Sequence, residues 1–109
     1  MKKKWQKEIN KVVKALRAYR PEKIVLFGSM LDPKCEVNDI DLLITKKTTL
    51  PRLSERARIA RSFLPDQRIP VDFLIYTPQE IKREIERGNV FLAEILEKGK
   101  VLFDHEKTI

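Results

Sequence analysis

The sequence predicts an α/β layered fold on two grounds. Short, wholly apolar segments alternate with amphipathic helical ones, and 109 residues suffice for one hydrophobic core but not two. Residues 1–109 therefore read as a single domain, with no repeat, no low-complexity tract and no linker.

Trp5, Ile9, Val12, Val13, Leu16 and Tyr19 recur at three- and four-residue spacing, one face of a first helix. Lys3, Lys4, Lys7, Lys11 and Lys14 fall on the opposite face, and Pro21 ends the segment. Ile24-Val25-Leu26-Phe27 is short, apolar and closed by Gly28, which reads as a buried strand. Ile40 to Thr45 is a second strand, acidic at its start and apolar afterwards. Leu50 to Leu64 reads as a helix with Pro51 in its first turn and Leu53, Ala57, Ala60 and Leu64 on one face. Val71 to Tyr76 is a third strand. Thr77-Pro78-Gln79-Glu80 combines an N-cap Thr, a Pro at the first helical position and a Glu three residues after the cap, so a helix starts there. Ile81 and Ile85 carry that helix to Gly88. Asn89 caps another, through Phe91, Leu92, Ile95 and Leu96, which Gly99 closes. Val101-Leu102-Phe103 reads as a last edge strand.

Composition removes several chemistries. One cysteine, Cys35, makes no intramolecular disulfide, and with the single His105 it cannot supply a four-ligand zinc site. Cys35 reads as a plain loop residue. A Ser-His-Asp or Cys-His engine would depend on His105, near the end of the chain. Three glycines, Gly28, Gly88 and Gly99, can spell neither GxGxxG nor a GxxxxGK[ST] phosphate loop. No apolar run has the length of a signal-peptide core or a membrane span, so a cytoplasmic protein without a membrane partner is expected.

The net charge is +7, and its position matters more than its size. Residues 1–23 hold nine basic side chains and two acids, and so carry the whole surplus. Everything after them is neutral. Because no aromatic residue interleaves with the lysines of the polar face, that face reads as solvated or as a dock for an acidic partner. Nucleic acid is not the expected partner.

Two places break the apolar logic of the strands. In Asn38-Asp39-Ile40-Asp41-Leu42, two carboxylates stand two residues apart at the head of a strand, pointing to one face. In Val71-Asp72-Phe73, a single acid again interrupts an apolar strand. Three acids in the core without an evident Arg or Lys partner suit a divalent metal, because burying them otherwise costs several kcal/mol. Hard oxygen ligands favour Mg²⁺, which draws its other ligands from water and substrate phosphates. Phe27-Gly28-Ser29 adds a glycine that lets backbone approach a phosphate and a serine with hydroxyl and amide donors at a helix start.

Gly28-Ser29, nine intervening residues, Asp39-Ile40-Asp41 and the later Val71-Asp72-Phe73 resemble the minimal nucleotidyltransferases of the DNA polymerase β superfamily. The basic leading helix and the closing Ile95-Leu96-Glu97-Lys98-Gly99-Lys100-Val101-Leu102 share the likeness, which covers nearly the whole chain. The resemblance implies a short mixed sheet flanked by helices, with Mg²⁺ on Asp39, Asp41 and Asp72, two ions when nucleotide is bound. It implies that Gly28 and Ser29 bind a nucleoside triphosphate and that Asp72 helps deprotonate an attacking hydroxyl. The implied reaction moves a nucleoside monophosphate, AMP from ATP, with pyrophosphate leaving. Many members place an arginine just after the Gly-Ser, where this chain has Met30 and Leu31. Lys46, Lys47 and Arg52 are the alternative cations, although each also reads as a surface charge.

Small free-standing members are often antitoxins paired with a helical HEPN-domain toxin, some of which they adenylylate. A HEPN-type protein partner, and a homo- or hetero-oligomer that completes the site, follow as expectations. The alternative is a catalytically inactive binding module that neutralises a partner by masking its surface. Trp5 and Phe91 read as core, while Phe91, Leu92 and Ile95 in the last third also mark a candidate partner surface where left exposed.

Overall fold

Short apolar runs bounded by Gly, Pro and capping residues become strands here, and the four strands among the described residues form one sheet in the order β3-β2-β1-β4. They are β1 (Lys23–Phe27), β2 (Ile40–Thr45), β3 (Val71–Tyr76) and β4 (Lys100–Asp104). The structure is a computed structural model that describes residues 3–31, 39–66 and 69–107, without the side chains of residues 3, 4, 29 and 30. β1 runs antiparallel to both β2 and β4, while β2 and β3 are parallel, so the sheet is mixed as the resemblance implies. Among the described residues, four helices accompany it: α1 (Lys3–Leu16), α2 (Leu53–Arg61), α3 (Pro78–Glu86) and α4 (Val90–Lys98).

Period-two alternation divides β1, β2 and β3 between two cores. Ile24, Leu26, Ile40, Leu42, Ile44, Val71 and Ile75 face Ile9, Val12 and Leu16 of α1 and Ala60 of α2 in the larger one. Val25 and Leu43 meet Leu92 and Ile95 of α4 in a smaller core on the other face, with Phe27, Leu74, Tyr76 and Ile81 against it. The apolar stripe of α1 thus fixes where its lysines go. Lys7, Lys11 and Lys14 are exposed on the far side of α1 from the sheet.

Sequence signals at the helix ends hold. Thr77 accepts from the Glu80 amide and Glu80 accepts from the Thr77 amide, which makes the complete capping box with Pro78 at the first position. Asn89 accepts from the Leu92 amide at 2.9 Å and caps α4. Arg20, at φ 60°, closes the 3-10 turn that follows α1, just before Pro21.

Three expectations need correction. α2 starts at Leu53 rather than Leu50, and Pro51 lies outside it, because Leu50 is already committed elsewhere. Its amide donates to Thr48 Oγ1 at 3.2 Å and its carbonyl accepts from Arg56 Nε at 2.8 Å. That contact turns Arg56, together with Ala60, to the buried side and leaves Leu53 exposed. Phe91 is not core but 58% exposed. Leu92 and Ile95 are not partner surface, since both are buried under the sheet.

The β3 edge is shielded by arginines of α2. Arg61 Nη1 donates to the Val71 carbonyl at 2.7 Å and Arg56 Nη1 to that of Ile75 at 3.1 Å. Occupying an edge strand's free carbonyls discourages pairing with another chain. Among the described residues, no helix is long and apolar enough to cross a membrane.

Candidate active site

The end of β1 and the starts of β2 and β3 meet at one end of the sheet. Phe27 is in register with Asp41, and Asp41 with Asp72. Neighbouring strands lie about 4.8 Å apart, so Asp41 and Asp72 are side-by-side acids on one face. That face is the one α4 covers further along, through Val25 and Leu43. Asp39 stands two residues before Asp41, just outside β2. The structure therefore brings together the three acids that the sequence singled out.

Their surroundings differ from the expected core. Asp39 and Asp72 are exposed and only Asp41 is partly buried. They occupy the open rim of the sheet, where apolar alternation gives way at the strand starts. The desolvation cost accordingly falls on Asp41 alone. Burial raises its pKa above the usual carboxylate value, and the charges of Asp72 and Asp39 raise it further. Among the described residues, no Lys or Arg forms an ion pair with any of the three.

Gly28 explains how the turn after β1 comes so close. Its φ is +81°, and a Cβ built there would collide with Asp41 Oδ2 and stand 3.3 Å from Asp41 Cγ. The chain then makes a single 3-10 turn over Gly28–Leu31 rather than the start of an α-helix. The hydroxyl of Ser29 lies outside the described residues, as do Cys35 and Asn38. Replacing Gly28 with Ala is expected to displace the Asp41 carboxylate and to cost about 1–2 kcal/mol in backbone strain. Thermal denaturation should show the loss, and titration with Mg-ATP should show weaker binding than in wild type.

None of the alternative cations reaches this end. Lys46, just past the far end of β2, donates to the Tyr19 carbonyl and lies 4.4 Å from the Tyr19 ring centroid. Burial, then the charge of Arg20, lowers its pKa. Lys47 pairs with Glu22 at 3.7 Å and Arg52 with Glu55 at 3.9 Å. His105 is also at the far end, its amide donating to the Glu22 carbonyl. The basic residue that does stand near is Lys98, at the end of α4, which lines a cavity with Gly28. Sequence reasoning missed it. Pairing of the last strand with the first, which sets Lys100 opposite Leu26, is what carries residue 98 there.

The donor set fits a divalent cation. Three carboxylates supply hard oxygen ligands, their mutual repulsion is relieved by positive charge, and the bare Cα of Gly28 leaves the Asp41 oxygens uncovered. Among the described residues, no three His, Cys, Asp or Glu side chains are placed so that they could hold a metal ion by themselves.

A search of curated proteins and one of solved structures returned no match to this chain. A family model described as "Polymerase beta, Nucleotidyltransferase" matches residues 10–108, which span β1 to β4 and every acid of the site. With a mixed four-stranded sheet carrying Asp41 and Asp72 in register beside Gly28, the chain belongs to the polymerase beta nucleotidyltransferase family.

Proposed function

We propose that the protein is a Mg²⁺-dependent enzyme that transfers AMP from ATP to a hydroxyl of a partner protein. The partner in this reading is a HEPN-domain toxin, and the transfer is what makes the protein its antitoxin. The observation that carries the reading is the Asp41–Asp72 pair in register beside the close turn at Gly28. Carboxylates so placed, without an ion-pair partner among the described residues, favour a catalytic role over a purely structural one.

In this mechanism Asp39, Asp41 and Asp72 hold Mg²⁺, which when bound offsets the negative charge of the phosphates. The backbone turn at Gly28 and Ser29 grips the triphosphate. Asp72, the most open of the strand acids, accepts the proton of the attacking hydroxyl. The hydroxyl oxygen forms its bond to the α-phosphorus, the bond from that phosphorus to the bridging oxygen breaks, and pyrophosphate leaves. α3 and α4 pack on this face of the sheet, and Asp72 remains exposed beside them, so an acceptor has room to approach.

The test is incorporation of labelled AMP from ATP into a co-expressed HEPN partner with Mg²⁺ present. The wild type should label the partner, and an Asp39→Asn/Asp41→Asn variant should not. Equal labelling by both would remove the enzymatic reading. If the double variant still protects cells from the toxin, neutralisation is by masking instead.

A further inference from the structure

We propose that the cavity beside Gly28 seats the nucleobase of the triphosphate, with Phe91 as its stacking surface. This rests on the nucleotidyl-transfer reading above and goes beyond it by assigning residues to the base. The cavity measures about 460 Å³ and is lined by Phe27, Gly28, Leu31, Phe91, Ile95 and Lys98, among others. Gly28 belongs both to this cavity and to the contact with the Asp41 carboxylate. A ligand bound across that shared residue is polyanionic at one end and flat and apolar at the other. A nucleoside triphosphate has that shape.

Phe91 is the residue that singles out this cavity. An aromatic side chain 58% exposed in the first turn of a capped helix contributes little to the fold. Yet its ring is held, edge to face with Phe27 at 6.0 Å between centroids and 82° between planes. Phe27 ends the strand that leads into the Gly28 turn, so the exposed ring is fixed relative to the carboxylate site. Gly99 keeps the opposite wall tight. A Cβ there would come within 2.5 Å of both Val25 Cγ1 and the Ile95 carbonyl oxygen, so only glycine lets α4 pass so near β1. Glu94 and Lys98, paired at 3.3 Å on successive turns of α4, also line the cavity. Together they offer one acceptor and one donor, which matches a base edge that presents both.

The experiment titrates purified wild-type protein, Phe91→Ala and Phe91→Trp with Mg-ATP and, separately, with Mg-tripolyphosphate, by calorimetry. Phe91→Ala is expected to weaken ATP by about five- to a hundredfold, the range a stacked base contributes, and to leave tripolyphosphate unchanged. Phe91→Trp should retain ATP affinity, with indole fluorescence quenched by ATP and not by tripolyphosphate. If Phe91→Ala binds ATP as wild type does, while Asp41→Asn no longer binds it, the base assignment is wrong and the transfer reading stands. If wild type binds neither ligand, both fail together.

Discussion

Asp41→Asn is expected to abolish nucleotidyl transfer and, in the absence of Mg²⁺, to make the protein more stable. The first effect follows from the proposed mechanism, in which Asp41, in register between Phe27 and Asp72, would be a charged oxygen ligand of Mg²⁺. Several kcal/mol of charge stabilisation at a phosphoryl centre correspond to a loss of at least about a thousandfold in rate. The second follows from the side chain's surroundings. Asp41 is the partly buried member of the trio, its pKa raised by burial and by the charges of Asp72 and Asp39, so at neutral pH its ionised form opposes folding. Relieving that opposition is expected to raise the melting temperature.

Mg²⁺ with ATP should reverse the order. The wild type gains stability by binding, whereas the variant has lost the site that would couple to it. Thermal denaturation with and without Mg-ATP, alongside AMP transfer, checks both halves. A variant less stable than wild type without Mg²⁺ would mean that the Asp41 charge supports the fold, contrary to this account. Asp39→Asn and Asp72→Asn, at exposed positions, should change the melting temperature far less.

Legibility in the sequence tracks how local each determinant is. The third strand, residues 71–76, and the caps at Thr77 and Asn89 are readable because alternation, Pro placement and capping side chains act within a few residues. The acid pair at 39 and 41 is readable for the same reason. That Asp41 faces Asp72 depends on parallel pairing of β2 with β3, and that Gly28 leaves no room for a Cβ beside Asp41 depends on antiparallel pairing of β1 with β2, neither of which a local pattern encodes. Expecting the acids in the core came from treating a strand as uniformly buried, although a strand's first residues lie at the rim. The early start expected for α2 had a similar origin. Leu50 and Leu53 fit a helical period, but a distant claim on the Leu50 carbonyl by Arg56 sets where the helix begins. Phe91 fits its period too, and the structure leaves it exposed, because Leu92 and Ile95 already fill the space under β1 and β2.

Arg56 is the residue on which the largest stability effect should converge. It is a polar side chain only 3% exposed, and its hydrogen bonds reach Leu50, Ile75 and Glu80. Nε donates to the Leu50 carbonyl at 2.8 Å and Nη1 to that of Ile75 at 3.1 Å. Nη1 and Nη2 grip both oxygens of Glu80, at 2.6 and 3.1 Å. Glu80 is at the same time the third residue of the α3 capping box, so one guanidinium ties the entry to α2, the β3 edge and the start of α3 together. Glu80→Gln keeps the shape of this arrangement and removes its charge, which leaves a buried cation without a counterion. Losing one partner of a buried pair costs about 3–5 kcal/mol, and because the Glu80 side chain is 32% exposed the lower end applies. A fall in melting temperature of roughly 10–20 °C is expected. The hydrogen bonds from Arg56 hold the Glu80 carboxyl below its ordinary value, against a smaller opposing effect of burial. With the folded value depressed, the pair contributes fully above the unfolded carboxylate range and is lost as pH falls through the folded value. The gap in melting temperature between wild type and Glu80→Gln should therefore be constant at neutral pH, begin to close only below the ordinary glutamate value of about 4.3, and narrow further as pH falls through the lower folded value. A gap that persists unchanged well below the ordinary glutamate value would show that shape rather than charge is what Glu80 contributes.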